Sequence, residues 1–182
     1  SADGVHFANC TDVIANGLRT RDTGDDGVAC VDYRSKPRGS NLSLSRISVI
    51  RSRARGVSVV GSSGVRISDF SVEQTASSGL LIGEDHHYRT RRPANVAITA
   101  GRINRGGQFS PPVGNPFGVE VISADDVELT QLAVTDPRSR GVSIVDVGGR
   151  LRVTNLRLQS SVPQVPALEC RSCNCLLYTS DA

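Results

Sequence analysis

Apolar residues in this chain alternate with polar ones in short runs, and the runs repeat. A glycine followed by apolar-x-apolar recurs at Gly4, Gly27, Gly56, Gly79, Gly118 and Gly141, with spacings of 23, 29, 23, 39 and 23 residues. A second apolar-x-apolar run begins at Val13, Leu42, Val65, Val96, Val127 and Leu151, and a third follows shortly after. Strict period-two alternation buries one side of a strand and wets the other. Each unit therefore reads as three short strands, for example Val57-Ser-Val59, Val65-Arg-Ile67 and Phe70-Ser-Val72, separated by turns of Gly, Ser, Asn and Asp. One such unit cannot bury its apolar face alone, whereas units stacked in parallel share a continuous core and pair their edges. The predicted fold is all-β, a right-handed parallel β-helix of about seven coils with three short strands per coil. Its first inward column is Val5, Val28, Val57, Leu80, Val119 and Val142, and the next is Phe7, Cys30, Val59, Ile82, Val121 and Ile144. A leucine-rich repeat would carry a leucine and asparagine signature that this chain lacks.

Three segments lengthen the repeat. Residues 31–40 and 83–93 both follow a first strand and should project from the same edge, two coils apart. Residues 106–116 precede a first strand and should rise from the opposite edge, so that the three wall a groove. Function in solenoids is carried by such insertions and by outward side chains, because inward positions are committed to packing.

Along the groove floor, beside the repeated glycines, stand Asp3, Asp26, Arg55, Ser78, Phe117 and Arg140. With adjacent coils about 4.8 Å apart, Asp3 and Asp26 are expected to face solvent one coil apart, with Asp25 beside them and Arg55 one coil further. Carboxyls that close repel, which raises the pKa of one and suits it to donate a proton while its neighbour stays ionised. Asp3, Asp25, Asp26 and Arg55 are thus the candidate catalytic residues, although aspartate before glycine is also common turn chemistry. Tyr33, Tyr88, Phe109 and Phe117 lie in or beside the insertions, where aromatic faces can stack on sugar rings. The candidate substrate contacts are His6, Tyr33, Arg34, Glu84, His86, Tyr88 and Phe117. The run Glu84-Asp85-His86-His87 could hold a divalent ion, but a polar insertion is more simply a solvated one.

Composition narrows the partners. The net charge of +3 is too small to imply nucleic acid, and no stretch approaches the roughly 20 apolar residues of a membrane helix. Nearly all the positive charge is arginine, Lys36 being the one lysine. Cys10, Cys30, Cys170 and Cys173 permit disulfides without specifying them, and Cys170-Arg-Ser-Cys173 stands alone, without the second ligand pair a zinc site needs. The chain enters at Ser1 within a repeat and reads as a fragment, open at both ends, of one β-helix domain over residues 1–174. Residues 175–182 resemble one reading frame of a transposon-end adapter and read as a non-native tail.

The segments Ser1-Ala-Asp-Gly4 and Thr23-Gly-Asp-Asp-Gly-Val-Ala-Cys-Val31 resemble the pectin-lyase-like β-helix superfamily, and within it the Asn-Thr-Asp and Gly-Asp-Asp motifs of polygalacturonases. The resemblance implies a secreted or cell-surface glycoside hydrolase in which Asp3, Asp25 and Asp26 share acid and base catalysis, with a polysaccharide as partner and no cofactor. The family's Gly-His-Gly falls here at Ala54-Arg55-Gly56, and its Arg-Ile-Lys at Leu81-Ile82-Gly83. Pectate and related lyases on the same fold resemble this site differently: Asp3, Asp25 and Asp26 would then hold calcium, with Arg55 as base. A non-catalytic glycan-binding or structural β-helix, such as an adhesin or phage spike, is the reading from another class. Oligomeric state is not legible.

Overall fold

A computed structural model describes residues 2–109, 114–161, 167–173 and 176–179, the last four as backbone only. Among them are thirteen strands and no helix: β1 (Val5–Ala8), β2 (Thr11–Asn16), β3 (Arg19–Thr23), β4 (Val28–Val31), β5 (Ser40–Ser52), β6 (Val57–Val60), β7 (Ser63–Thr75), β8 (Leu80–Gly83), β9 (Ala94–Asn104), β10 (Val119–Thr135), β11 (Val142–Gln159), β12 (Leu168–Cys173) and β13 (Leu176–Thr179). All pairings between named strands are parallel, and each unit pairs with the unit before and after it. This pattern is consistent with a solenoid.

The register follows the alternation. Val5, Val28, Val57, Leu80, Val119 and Val142 pair in one column, and Leu168 continues it without the preceding glycine, which is Ala167. From Val28 to Val142 these side chains are wholly buried, in one apolar core that runs the length of the stack. Between second and third segments the expected multi-residue turns are replaced, from β5 onward, by one residue that bends a continuous strand. Arg46, Asp69, Ala100, Gln131 and Asn155 occupy this corner, all with φ between 50° and 55°. A second ladder of left-handed residues, Asp12, Asn41, Gly64, Asn95, Asp126 and Gly149, precedes the second segment. Its composition is that of the residues that tolerate this conformation best.

The repeated glycines are required by close approach. A Cβ on Gly56 would lie 2.3 Å from Val72 Cγ1 and 2.5 Å from the carbonyl oxygen of Gly79, and one on Gly27 would meet Val49 and the oxygen of Gly56 in the same way. The third segment of each coil thus presses an apolar side chain against the start of the first.

Insertions 31–40 and 83–93 do emerge together, and they pack on each other. Tyr33 bridges Thr90, Arg91 N–H donates to the Asp32 carbonyl, and Arg34 Nε donates to the Thr90 carbonyl at 2.8 Å. Beneath them Ala29, Val31, Val60 and Leu81 form a second, smaller apolar cluster on the outer face, with Tyr33 and Ile122 against it. Asp32 is buried, and its carboxylate accepts from Gly39 N–H at 2.7 Å and Ser62 Oγ at 3.3 Å, which holds the first insertion to the stack. In the third insertion, residues 110–113 lie outside the described residues. The rest folds over Ser77 and Ser78, whose hydroxyls donate to the Asn115 carbonyl. Cys170 and Cys173 form a disulfide, Cys30 is a buried free thiol, and Cys10 is free. Leu176–Thr179, part of the expected tail, pairs with Leu151–Thr154.

Candidate active site

The turn from β3 into β4 and the residues just before β1 bring Asp3, Asp25 and Asp26 together, with one carboxylate oxygen from each lying within 4.8 Å of the others. They line a cleft of about 180 Å³ with His6, Tyr33, Arg55, Asp85, Tyr88 and Thr90. Ala29, Val31 and Val60 form its apolar floor. The first two insertions supply one wall and the aspartates the other. Among the described residues the third insertion contributes nothing to the lining, and two walls of the expected three-walled groove are seen.

Asp26 does not face solvent as the repeat suggested. It is 5% exposed, because Arg55 of the next coil and Ser58 of β6 close over it. Its Oδ1 accepts from Arg55 N–H at 2.8 Å, with the Arg55 guanidinium 3.8 Å away, and its Oδ2 accepts from Ser58 Oγ at 2.6 Å. Burial outweighs these donors and pushes the carboxyl up from 3.8 to about 6, with a further rise from Asp3. Asp3 is half-buried: its Oδ1 accepts from Asp26 N–H at 3.0 Å, and its Oδ2 pairs with His6 Nδ1. The His6 ring stacks on Tyr33 at 6.4 Å between centroids, so three sequence-predicted residues form one connected edge of the cleft. Among the described residues Asp25 has only its backbone hydrogen-bonded, through its N–H to the Ala2 carbonyl and its own carbonyl to Thr23 Oγ1. Its half-buried carboxylate is the least engaged of the three.

The other expected contacts divide. Tyr88, 61% exposed, stands at the cleft mouth where its ring can meet a ligand. Arg34 and Glu84 pair with each other and brace the two insertions, while His86, 81% exposed, lies 3.4 Å from Glu84 outside the cleft lining. Phe117 is a correction: it is 8% exposed, with the Arg140 guanidinium 5.6 Å over its ring, and offers no open aromatic face. Glu84 and Asp85 are otherwise engaged than as a metal run, since Asp85 Oδ1 accepts from Tyr88 N–H and shapes its own turn. Repeat reasoning passed over Ser58, and it considered Asp85 only within the run Glu84-Asp85-His86-His87. Ser58 sits at an ordinary outward strand position and acquires a role only because Asp26 lies beside it.

Calcium requires six to eight oxygen ligands. Here Asp3, Asp25 and Asp26 bring three carboxylates close enough to share a cation, and both oxygens of Asp26 and both of Asp3 also take N–H or O–H donors or pair with His6. A protonatable buried carboxyl with an oxygen of each of two others within 4.8 Å is also the arrangement acid and base catalysis uses. Comparison with known proteins finds no matching family model, no matching curated protein and no matching solved structure.

Proposed function

We propose that this protein is a secreted polysaccharide-degrading enzyme, a glycoside hydrolase built on a right-handed parallel β-helix of about seven coils related to the pectin-lyase-like superfamily. The observation that carries the reading is the Asp26 carboxyl: buried, raised to about 6, and within reach of the half-buried carboxylates of Asp25 and Asp3. Asp26 is the proton donor to the leaving oxygen, and Asp25, whose side chain is least engaged, is the base. Asp3 orients Asp26 through its backbone N–H and couples it to His6. Tyr88 and Tyr33 offer ring faces to the sugar, and the apolar floor keeps water from the acid.

The test is incubation of the protein with a panel of acidic and neutral polysaccharides, with and without a chelator, following reducing ends and unsaturated products. Reducing ends that survive the chelator and fall about 100-fold or more in Asp26→Asn support the hydrolase. Because an acid must hold its proton, the rate should fall as pH rises through about 6, where Asp26 ionises. Unsaturated, calcium-dependent products would move the assignment to the lyase chemistry on the same three aspartates. No product from any glycan would favour a binding or structural role.

A further inference from the structure

Away from the aspartate cleft, a second and larger groove of about 790 Å³ runs along the stack where the second and third segments meet. Its shape comes from the corner ladder, since each left-handed residue turns the strand and leaves a concave angle on the outside. Stacking repeats that angle coil after coil, so the groove is long and parallel to the stacking direction. The buried side chains Ile47, Phe70, Leu132 and Leu156 back it, and the outward residues of the third segment form one wall. In register along that wall stand Arg19, Ser48, Ser71, Arg102, Ala133 and Arg157.

Small residues separate the arginines, so nothing tall interrupts the trough between them. At about 4.8 Å per coil, Arg19 and Arg102 stand about 14 Å apart, and Arg102 and Arg157 about 10 Å. With Arg46 on the corner, the groove holds four arginines against the single acid Asp69. Arg19, Arg102 and Arg157 are exposed, and none has a side-chain hydrogen bond or ion pair among the described residues. Other arginines do find carboxylates: Arg51 pairs with Asp22, Arg92 with Asp125 and Asp146, and Arg152 with Glu128. Three guanidiniums without such a partner among the described residues are thus aligned along one trough.

We propose that this groove is a second glycan-binding site, which takes a carboxylated polysaccharide lying along the stack with its carboxylates on Arg19, Arg102 and Arg157. Guanidinium forks suit planar carboxylates, and a row of them at coil spacing suits a polymer with regularly repeated charge. A single-stranded nucleic acid fits less well. Its bases need aromatic platforms, and the one aromatic in the groove, Phe70, is buried under the floor. The site is on a different face from the aspartates, so it holds substrate or anchors the protein independently of turnover.

The experiment is affinity electrophoresis through gels containing polygalacturonate, with dextran as the neutral polymer and a single-stranded oligonucleotide as competitor. The double variant Arg102→Ala with Arg157→Ala should bind polygalacturonate about tenfold more weakly, the size expected for losing two exposed ion pairs. Gln131→Glu, which places an acid in the groove, should weaken it in the same direction. Binding should fade with added salt, be absent from dextran, and survive Asp26→Asn and Tyr88→Ala, which alter only the other cleft. Unchanged binding in both groove variants would overturn the proposal. So would an oligonucleotide that binds more tightly than polygalacturonate at equal salt.

Discussion

Replacing Asp26 with asparagine should stabilise the fold, and increasingly so as pH rises. Burial lifts the Asp26 carboxyl from 3.8 to about 6, a change of about two pH units, which corresponds to about 3 kcal/mol. The direction follows from which state ionises first. Well below pH 3.8 the carboxyl is protonated in both the folded and unfolded chains, and it costs nothing. Between the two values the unfolded chain releases its proton while the folded one holds it, so stability falls as pH rises. Above about 6 both are ionised, and the full penalty persists. Asparagine is neutral throughout. Its oxygen can still accept from Arg55 N–H, and its amide can donate to Ser58 Oγ, so both positions keep a hydrogen-bond partner. The variant should exceed the parent by about 1 kcal/mol at pH 4.5 and about 3 kcal/mol at pH 7.5. Urea unfolding at the two pH values measures this directly, and at the higher pH the melting temperature should rise by roughly 6–12 °C. Asp22, Asp136 and Asp146, whose carboxyls are held below the usual range by Arg51, by Ser161 and by Arg92 respectively, lose their contribution in acid. They do so equally in both proteins and cancel in the difference. An Asp26→Asn variant no more stable than the parent at pH 7.5, or an advantage that does not grow with pH, would refute the reasoning. Its physical content is that a buried acid is kept at a cost in stability, as expected where the group serves a reaction.

Gly56→Ala should cost about 1–3 kcal/mol by overpacking, because the new methyl meets Val72 and the Gly79 carbonyl. It should appear as a lower urea midpoint at unchanged slope, and an unchanged midpoint would show that the coils can part there at no cost. Asp32→Ala removes the acceptor for Gly39 N–H and Ser62 Oγ and should cost about 1–3 kcal/mol. Trypsin should then cut faster after Arg38 in the first insertion. Equal cleavage rates in parent and variant would mean that packing against the second insertion, through Arg34 and Arg91, holds the segment unaided.

Alternation and spacing by themselves determined the strand class, the parallel register and the inward columns. Each inward position repeats a demand for an apolar side chain coil after coil, and that demand leaves a period in the sequence. The same period located the first two insertions and put Asp3, Asp25 and Asp26 in neighbouring coils. Tertiary structure decided the rest, because it depends on which groups meet across coils. Outward positions in the first column read as solvent-facing, yet Ala29, Ser58 and Leu81 are buried because the insertions and Arg55 fold back over them. Phe117 read as an open aromatic and lies under Arg140 for the same reason. The described part of the third insertion meets Ser77 and Ser78, whose hydroxyls donate to the Asn115 carbonyl, and does not line the aspartate cleft. Only the bent corner, a single left-handed residue per coil with no common side chain, aligned Arg19, Arg102 and Arg157 along one groove. Burial of Asp26 likewise required Ser58 and Arg55, respectively 32 and 29 residues away in sequence. A carboxyl's charge state is set by the dielectric and donors around it in space, and no local pattern encodes them.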